Sequence, residues 1–264
     1  MEQIQNFWQA KDAWAFEPYG FAHMMVVAVM IILVLLIRGM RDKITAEIDR
    51  KIRVISAAIA FLFELLFHVW NYINDENFVG SLFYFDLCSV TLVLAFVFNL
   101  GRKKTSESWQ RLFEVIYFWG VGAFSALAFP ELEYGANKFR FYHFFIIHGY
   151  IVLTAAYGLV VERRYITLQA FWRSFRLLVV YGAVVFVINR TFGQNYMFLS
   201  HAPEVASPLD LLGDGFEYYF NLFWLGGIVL FLFYLPCGVS NYFKLRYVDA
   251  LEELQVEELI LEEK

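Results

Sequence analysis

Charged residues make up only 18% of this 264-residue sequence, against about a quarter in a typical soluble domain. That shortage excludes an ordinary water-soluble core, and the mean hydropathy of +0.53 agrees. Cysteine is scarce as well. Cys88 and Cys237 are the only two and both lie in apolar stretches, which argues against a disulfide framework. Internal repeats and low-complexity linkers are absent, and no segment between the apolar runs has room for a soluble domain. The N-terminus lacks a cleavable-signal pattern: its first apolar run is followed by bases instead of being preceded by them, and reads as a retained span. What the sequence has in quantity is apolar and aromatic: 60% hydrophobic residues and 30 Phe. Such side chains suit bilayer interfaces and helix packing in lipid, which selects the membrane class.

A helix needs roughly 20 mostly apolar residues to cross the hydrocarbon. Seven stretches qualify: 21–37, 54–73, 81–100, 111–130, 139–161, 174–190 and 216–236. Backbone polar groups in lipid must pair internally, so these should be helices and not open strands. Counted from the N-terminal segment through each loop to the tail, Lys and Arg run 1, 6, 0, 4, 2, 4, 1, 3. The alternation puts 17 of the 21 bases on one side, which the positive-inside rule makes cytoplasmic. The expected architecture is an all-α polytopic seven-transmembrane-helix bundle, N-terminus out and C-terminus in. Residues 1–20 form an extracytoplasmic segment, 21–240 the membrane domain and 241–264 an acidic cytoplasmic tail. The tail reads as a solvated helix, with Val256, Leu259 and Ile260 as a short apolar stripe. The plasma membrane is the expected location.

Ionisable residues at membrane depth are costly and mark candidate sites. On this orientation nearly all lie toward the outer face. The second span carries Glu64, His68 and Asn71, the third Asp86 and Cys88, and the fifth Arg140, His143 and His148. The sixth ends at Asn189 and Arg190, and the next loop holds Asn195, His201 and Asp210. Glu114, near the cytoplasmic end of the fourth span, is the main exception. A polar cavity open to the outside or the outer leaflet is the expected consequence. Each residue also has a plainer reading. Glu64 and His68 could pair as structural glue, Arg140 and Arg190 could snorkel to headgroups, His23 reads as interfacial, and Cys88 as a small packing residue.

The chemical reading joins Cys88 to His148. A thiol in apolar surroundings is inert until a base takes its proton or an imidazolium holds the thiolate. A Cys–His dyad there could attack the ester carbonyl of a lipid. Asn189, Arg190 or Asn195 could then stabilise the oxyanion or bind phosphate. His143 remains an alternative base, and Arg140, His143 and Asp86 join the asparagines and Arg190 as candidate substrate-binding groups.

Short motifs in order along residues 50–240 then carry a resemblance. They are Asp86-Leu87-Cys88-Ser89, Tyr117-Phe118-Trp119-Gly120, Pro130-Glu131-Leu132, and Phe139-Arg140-Phe141 leading to Phe144-Phe145 and His148-Gly149. Asn189 precedes Gly193-Gln194-Asn195-Tyr196-Met197-Phe198-Leu199, and Ser207-Pro208-Leu209-Asp210-Leu211-Leu212-Gly213 closes the set. The sequence resembles the YwaF-like bacterial integral membrane proteins, relatives of the eukaryotic transmembrane protein 164 acyltransferases. The resemblance implies acyl transfer on membrane lipid through a Cys thioester with a His base, roles that fall on Cys88 and His148. Asp86 departs from the pattern, standing where the family has His or Gln. A carboxylate there opposes thiolate formation unless a base neutralises it. Membrane phospholipid is the expected partner, and no soluble cofactor, resident metal or nucleic acid is called for. Two other classes compete. One is a transporter, receptor or assembly factor using an outward-facing polar cavity. The other is a zinc-dependent transmembrane lipid hydrolase, resembling the ceramidase-like group, with His68, Asp86, His143 and His148 as ligands.

Overall fold

The computed structural model describes residues 6–11, 14–74, 83, 85–101, 106–203 and 207–262, with side chains as far as Phe243. Arg102, Lys103 and Lys104, residues 81, 82 and 84 of the third expected span, and the side chains of Val256, Leu259 and Ile260 lie outside the described residues. Eight helices of eight residues or more carry the fold among the described residues. They are α1 Phe21–Met40, α2 Ala46–Asn74, α3 Leu87–Leu100, α4 Glu107–Trp119, α5 Val121–Ala128, α6 Phe139–Val160, α7 Leu168–Phe192 and α8 Gly215–Glu262. Among the described residues there is no strand, only an isolated antiparallel bridge between Ala15 and Tyr134.

Six helical stretches are long and apolar enough to cross a membrane, where the sequence reads seven. The difference lies in α3. Its apolar run reads as 81–100, but the helix starts only at Leu87 and has 14 residues. At 1.5 Å per residue it reaches about 21 Å, short of the roughly 30 Å hydrocarbon core. The fourth stretch is also not one rod. It breaks at Gly120 into α4 and α5, and Gly120 caps the end of α4. The C-terminal tail continues α8 as far as Glu262.

The centre of the bundle is α6, which packs against α1, α2, α3, α4 and α5. Gly158 of α6 lets α4 in: a Cβ there would stand 2.2 Å from the ring of Phe113. Polar pairs pin the helices in register. Asn99 of α3 donates to the Tyr150 hydroxyl and to Thr154 Oγ1 of α6, both at 2.9 Å and all buried. The buried guanidinium of Arg53 on α2 meets Glu162 at 2.7 Å. Bonds of this kind hold helices together where lipid tails supply no hydrophobic drive. His23 is buried. It accepts from the Tyr19 N–H at 3.0 Å, so its other nitrogen donates to the Leu127 carbonyl at 2.8 Å. The helix ends group into two poles. One holds the starts of α3, α6 and α8, here called the site end. The other holds the starts of α2, α4 and α7, here called the basic end.

Candidate active site

Cys88 is the second residue of α3, at the site end. The N-cap residue of that helix, Asp86, makes no side-chain cap. Its carboxylate turns away and accepts the Met197 N–H at 2.9 Å. The Val90 N–H reaches the Asp86 carbonyl at 3.0 Å. The amides of Leu87, Cys88 and Ser89 precede it and have no intrahelical partner, as at any helix start. Among the described residues no side chain caps these donors, and Cys88 belongs to that same first turn, at the positive end of the helix dipole.

Around Cys88 the packing is mainly apolar. It packs against a buried cluster that includes Ala57, Ala60, Ala95, Ala123, Ile147 and Ile151, where α2, α3, α5 and α6 converge. Gly122 of α5 leaves the thiol its space: a Cβ there would lie 3.5 Å from Sγ and 3.3 Å from Leu87. Asp86 and Glu131 are close enough for their charges to bear on Cys88. Glu131 lies in the loop after α5. Burial, then the charges of Asp210 and Asp86, push its carboxyl up to about 7.

His148, half-buried on α6, has its Nδ1 2.7 Å from the Phe144 carbonyl. A carbonyl only accepts, so Nδ1 carries the proton and Nε2 keeps the lone pair. His143 is arranged the other way. Its Nδ1 lies 2.7 Å from Arg140 Nη1, which only donates, so Nε2–H donates to Glu64 Oε2 at 3.0 Å. Glu64 thus meets His143, a partner from another helix. Both nitrogens of this buried ring are committed, and Phe67 stacks on it at 4.1 Å. The Arg140 guanidinium also lies over Phe67 at 4.5 Å. Cys88 and His148 ride on helices that pack together, but among the described residues no hydrogen bond joins Sγ to the imidazole.

The loop after α7 lies over the start of α3. Asn189, buried near the end of α7, donates to the Tyr196 carbonyl at 2.9 Å and accepts the Tyr196 N–H at 3.0 Å. Asn195 accepts the Ser200 N–H at 2.9 Å and donates to the His201 carbonyl at 3.0 Å. The amides that the sequence offers as substrate donors are thus bonded to the loop itself. His201 is exposed, and Asp210 accepts the Ser207 N–H at 2.8 Å in a capping box. Met197 and Phe198 take left-handed φ of 57° and 53°, uncommon for residues with a Cβ. Tyr181 of α7 donates to the Phe85 carbonyl at 2.8 Å, and the Phe85 ring meets Tyr196 edge-on. Arg190 is exposed, with its guanidinium 5.4 Å from the centre of the Phe186 ring.

Two features escape a reading by residue type. The α3 amides beside Cys88 belong to the backbone, and the Glu64–His143 pair joins helices distant in sequence. The zinc set is not gathered: among the described residues no group of three or more His, Cys, Asp or Glu is placed to hold a metal ion.

These features define a multi-pass helical membrane protein. The sequence profile of the TMEM164 family matches residues 18–235, and the chain belongs to that family. An uncharacterized protein of Treponema pallidum (strain Nichols) is 24% identical over 119 residues, 45% of this chain and 48% of that relative. The matched region therefore spans about half the relative's length. No solved structure matches the chain.

Proposed function

We propose that this protein is a membrane-lipid acyltransferase that carries a phospholipid acyl chain on Cys88, with His148 as general base. The observation that carries the reading is the position of Cys88 in the uncapped first turn of α3. There the nucleophile and the amide donors that would hold its oxyanion come from one helix terminus. His148 Nε2 takes the thiol proton, and Sγ attacks the ester carbonyl carbon of the donor. The tetrahedral oxyanion collapses as the ester C–O bond breaks, and the lyso-lipid oxygen leaves with the proton from Nε2. An acceptor hydroxyl then gives its proton to Nε2 and attacks the thioester carbonyl; the C–S bond breaks, and Cys88 Sγ leaves and takes the proton back from Nε2. Contacts of this kind are often long before substrate is bound and tighten in the complex.

In proteoliposomes, a phospholipid with an isotope-labelled acyl chain and a lysophospholipid acceptor test the reaction. Wild-type protein should move label to the acceptor and Cys88→Ser should not. Equal transfer by the serine variant would sink the mechanism. No transfer by wild type across several donor classes would favour the cavity-binding reading, a transporter or receptor.

Finer readings accompany it. The chain crosses the plasma membrane seven times, N-terminus out, with α3 as the short crossing and residues 241–264 in the cytoplasm. Cys88 then lies below the outer boundary of the hydrocarbon, and the loop 193–200 enters the membrane above it. Irregular backbone at that depth must be satisfied by protein, which gives Asp86, Asn189 and Asn195 positioning roles. Arg140 with His143, and Arg190, line the approach for phospholipid headgroups. Single cysteines at positions 45 and 202 in a cysteine-free background test the topology by impermeant thiol labelling of intact cells. Thr45→Cys should stay unlabelled and Ala202→Cys should label; the reverse pattern inverts the orientation.

A further inference from the structure

At the basic end, far along the bundle from Cys88, α4 and α7 enclose a groove of about 360 Å³. Three guanidiniums line its mouth: Arg111 from α4, Arg173 and Arg176 from α7. Deeper along the same two helices the walls become Val115, Leu177 and Val180. Leu177 and Val180 are exposed, 50% and 63%. From Arg173 to Val180 the helix rises about 10 Å. The groove is therefore cationic at the end of the bundle and apolar toward the middle.

The cations are only partly compensated. Glu114, buried at the base, takes Arg173 Nη2 at 2.6 Å. Arg173 Nε is buried with no hydrogen-bond partner among the described residues. Arg111 meets Glu107 at 2.5 Å, but both side chains are well exposed, and such surface pairs contribute little. Arg176 Nε donates to the Trp172 carbonyl at 3.2 Å. This leaves guanidinium donors facing an open groove whose polar base, Glu114 and Ser174, is already hydrogen-bonded across the two helices, and whose wall along Val115, Leu177 and Val180 is apolar.

The geometry points to a phospholipid site: an anionic phospholipid of the leaflet at the basic end, its phosphate on Arg111 and Arg176 and one acyl chain along Val115, Leu177 and Val180. Guanidinium forks suit phosphate oxygens, and basic pockets between helices on the cytoplasmic side are where anionic headgroups bind. An inorganic anion would use the mouth and leave the apolar wall unoccupied. The site is separate from the proposed acyl transfer. The orientation proposed above makes the leaflet the cytoplasmic one.

Native mass spectrometry of the full chain released from micelles tests it, with phosphatidylglycerol, phosphatidylcholine and inorganic phosphate as probes. Phosphatidylglycerol should bind about tenfold more tightly than phosphatidylcholine, and the double variant Arg111→Gln/Arg176→Gln should lose that margin. Both side chains are exposed, so the variant should fold. Val180→Trp, which fills the apolar wall, should weaken the lipid with all three arginines intact. Equal binding of the two lipids, a margin that survives Arg111→Gln/Arg176→Gln, or phosphatidylglycerol binding unchanged in Val180→Trp would overturn the site. Displacement of the lipid by millimolar phosphate would make it a free-anion site and overturn the proposal as well. Micelle binding does not depend on leaflet, so a reversed topology would leave these results intact and count against the orientation alone.

Discussion

Replacing His148 and replacing His143 should have different consequences, because the two rings are bonded differently. His148 keeps an Nε2 lone pair with its Nδ1–H held by the Phe144 carbonyl. His148→Ala should lower acyl transfer by about 10²–10⁴-fold, the range for loss of a general base, with thermal unfolding little changed. His143→Ala removes the partner that sits between Glu64 and Arg140. It should cost about 2 kcal/mol or more of stability, the scale for hydrogen bonds to charged groups, read as a fall in unfolding temperature. A transfer defect confined to His143→Ala would reassign the base. Glu131 carries a pH prediction. Its folded pKa, about 7, lies above the ordinary value of 4.5, so the folded state binds more protons between those pH values. Stability from this group is fully present below pH 4.5 and is lost as pH rises through 7. Glu131→Gln should therefore unfold at a higher temperature than wild type at pH 8 and lose that advantage at pH 5. Residue types alone nominate Cys88, His148 and His143. The proton positions that separate the two rings come from Phe144 and Arg140, and only the folded chain brings those atoms into range.

Of the helices, α3 and the α4–α6 pair carry most of the consequences. The apolar run 81–100 reads as an ordinary span because hydropathy registers composition and not where a helix begins. Asp86, an acid directly before the helix, is the one signal in the sequence for the late start, since Asp is a favoured N-cap residue. The break at Gly120 is hidden for a similar reason: the apolar stretch continues across it. The roles of Asn189 and Asn195 depend on backbone groups in the loop, and side-chain type says nothing about which carbonyl an amide will meet. The α4–α6 contact gives a test of packing. At Gly158 an added methyl would collide with Phe113, which is fully buried. Gly158→Ala should destabilise the bundle by about 1–3 kcal/mol, the usual cost of overpacking, seen as a lower unfolding temperature in detergent. An unchanged unfolding temperature would mean that α4 is free to shift.

For the protein as a whole, composition and the Lys and Arg series carry the membrane class and the all-helical fold. Both follow from physics that acts on the entire chain: no water for the backbone in lipid, and a bias of bases toward one side. Which helix lies at the centre is less visible. The hub, α6, mixes Phe, Tyr, His and Gly instead of forming a plain Leu–Val run, because it must meet five neighbours instead of lipid. The proposed mechanism stands or falls on whether Cys88 carries the acyl chain. The sharpest test is the intact mass of purified protein after incubation with mixed phospholipids, beside Cys88→Ser. A fatty-acyl mass increment that hydroxylamine removes is expected on the wild type and should be absent from the serine variant. An increment that appears equally on Cys88→Ser, or a wild-type mass unchanged with every lipid class, would be incompatible with a thioester at Cys88.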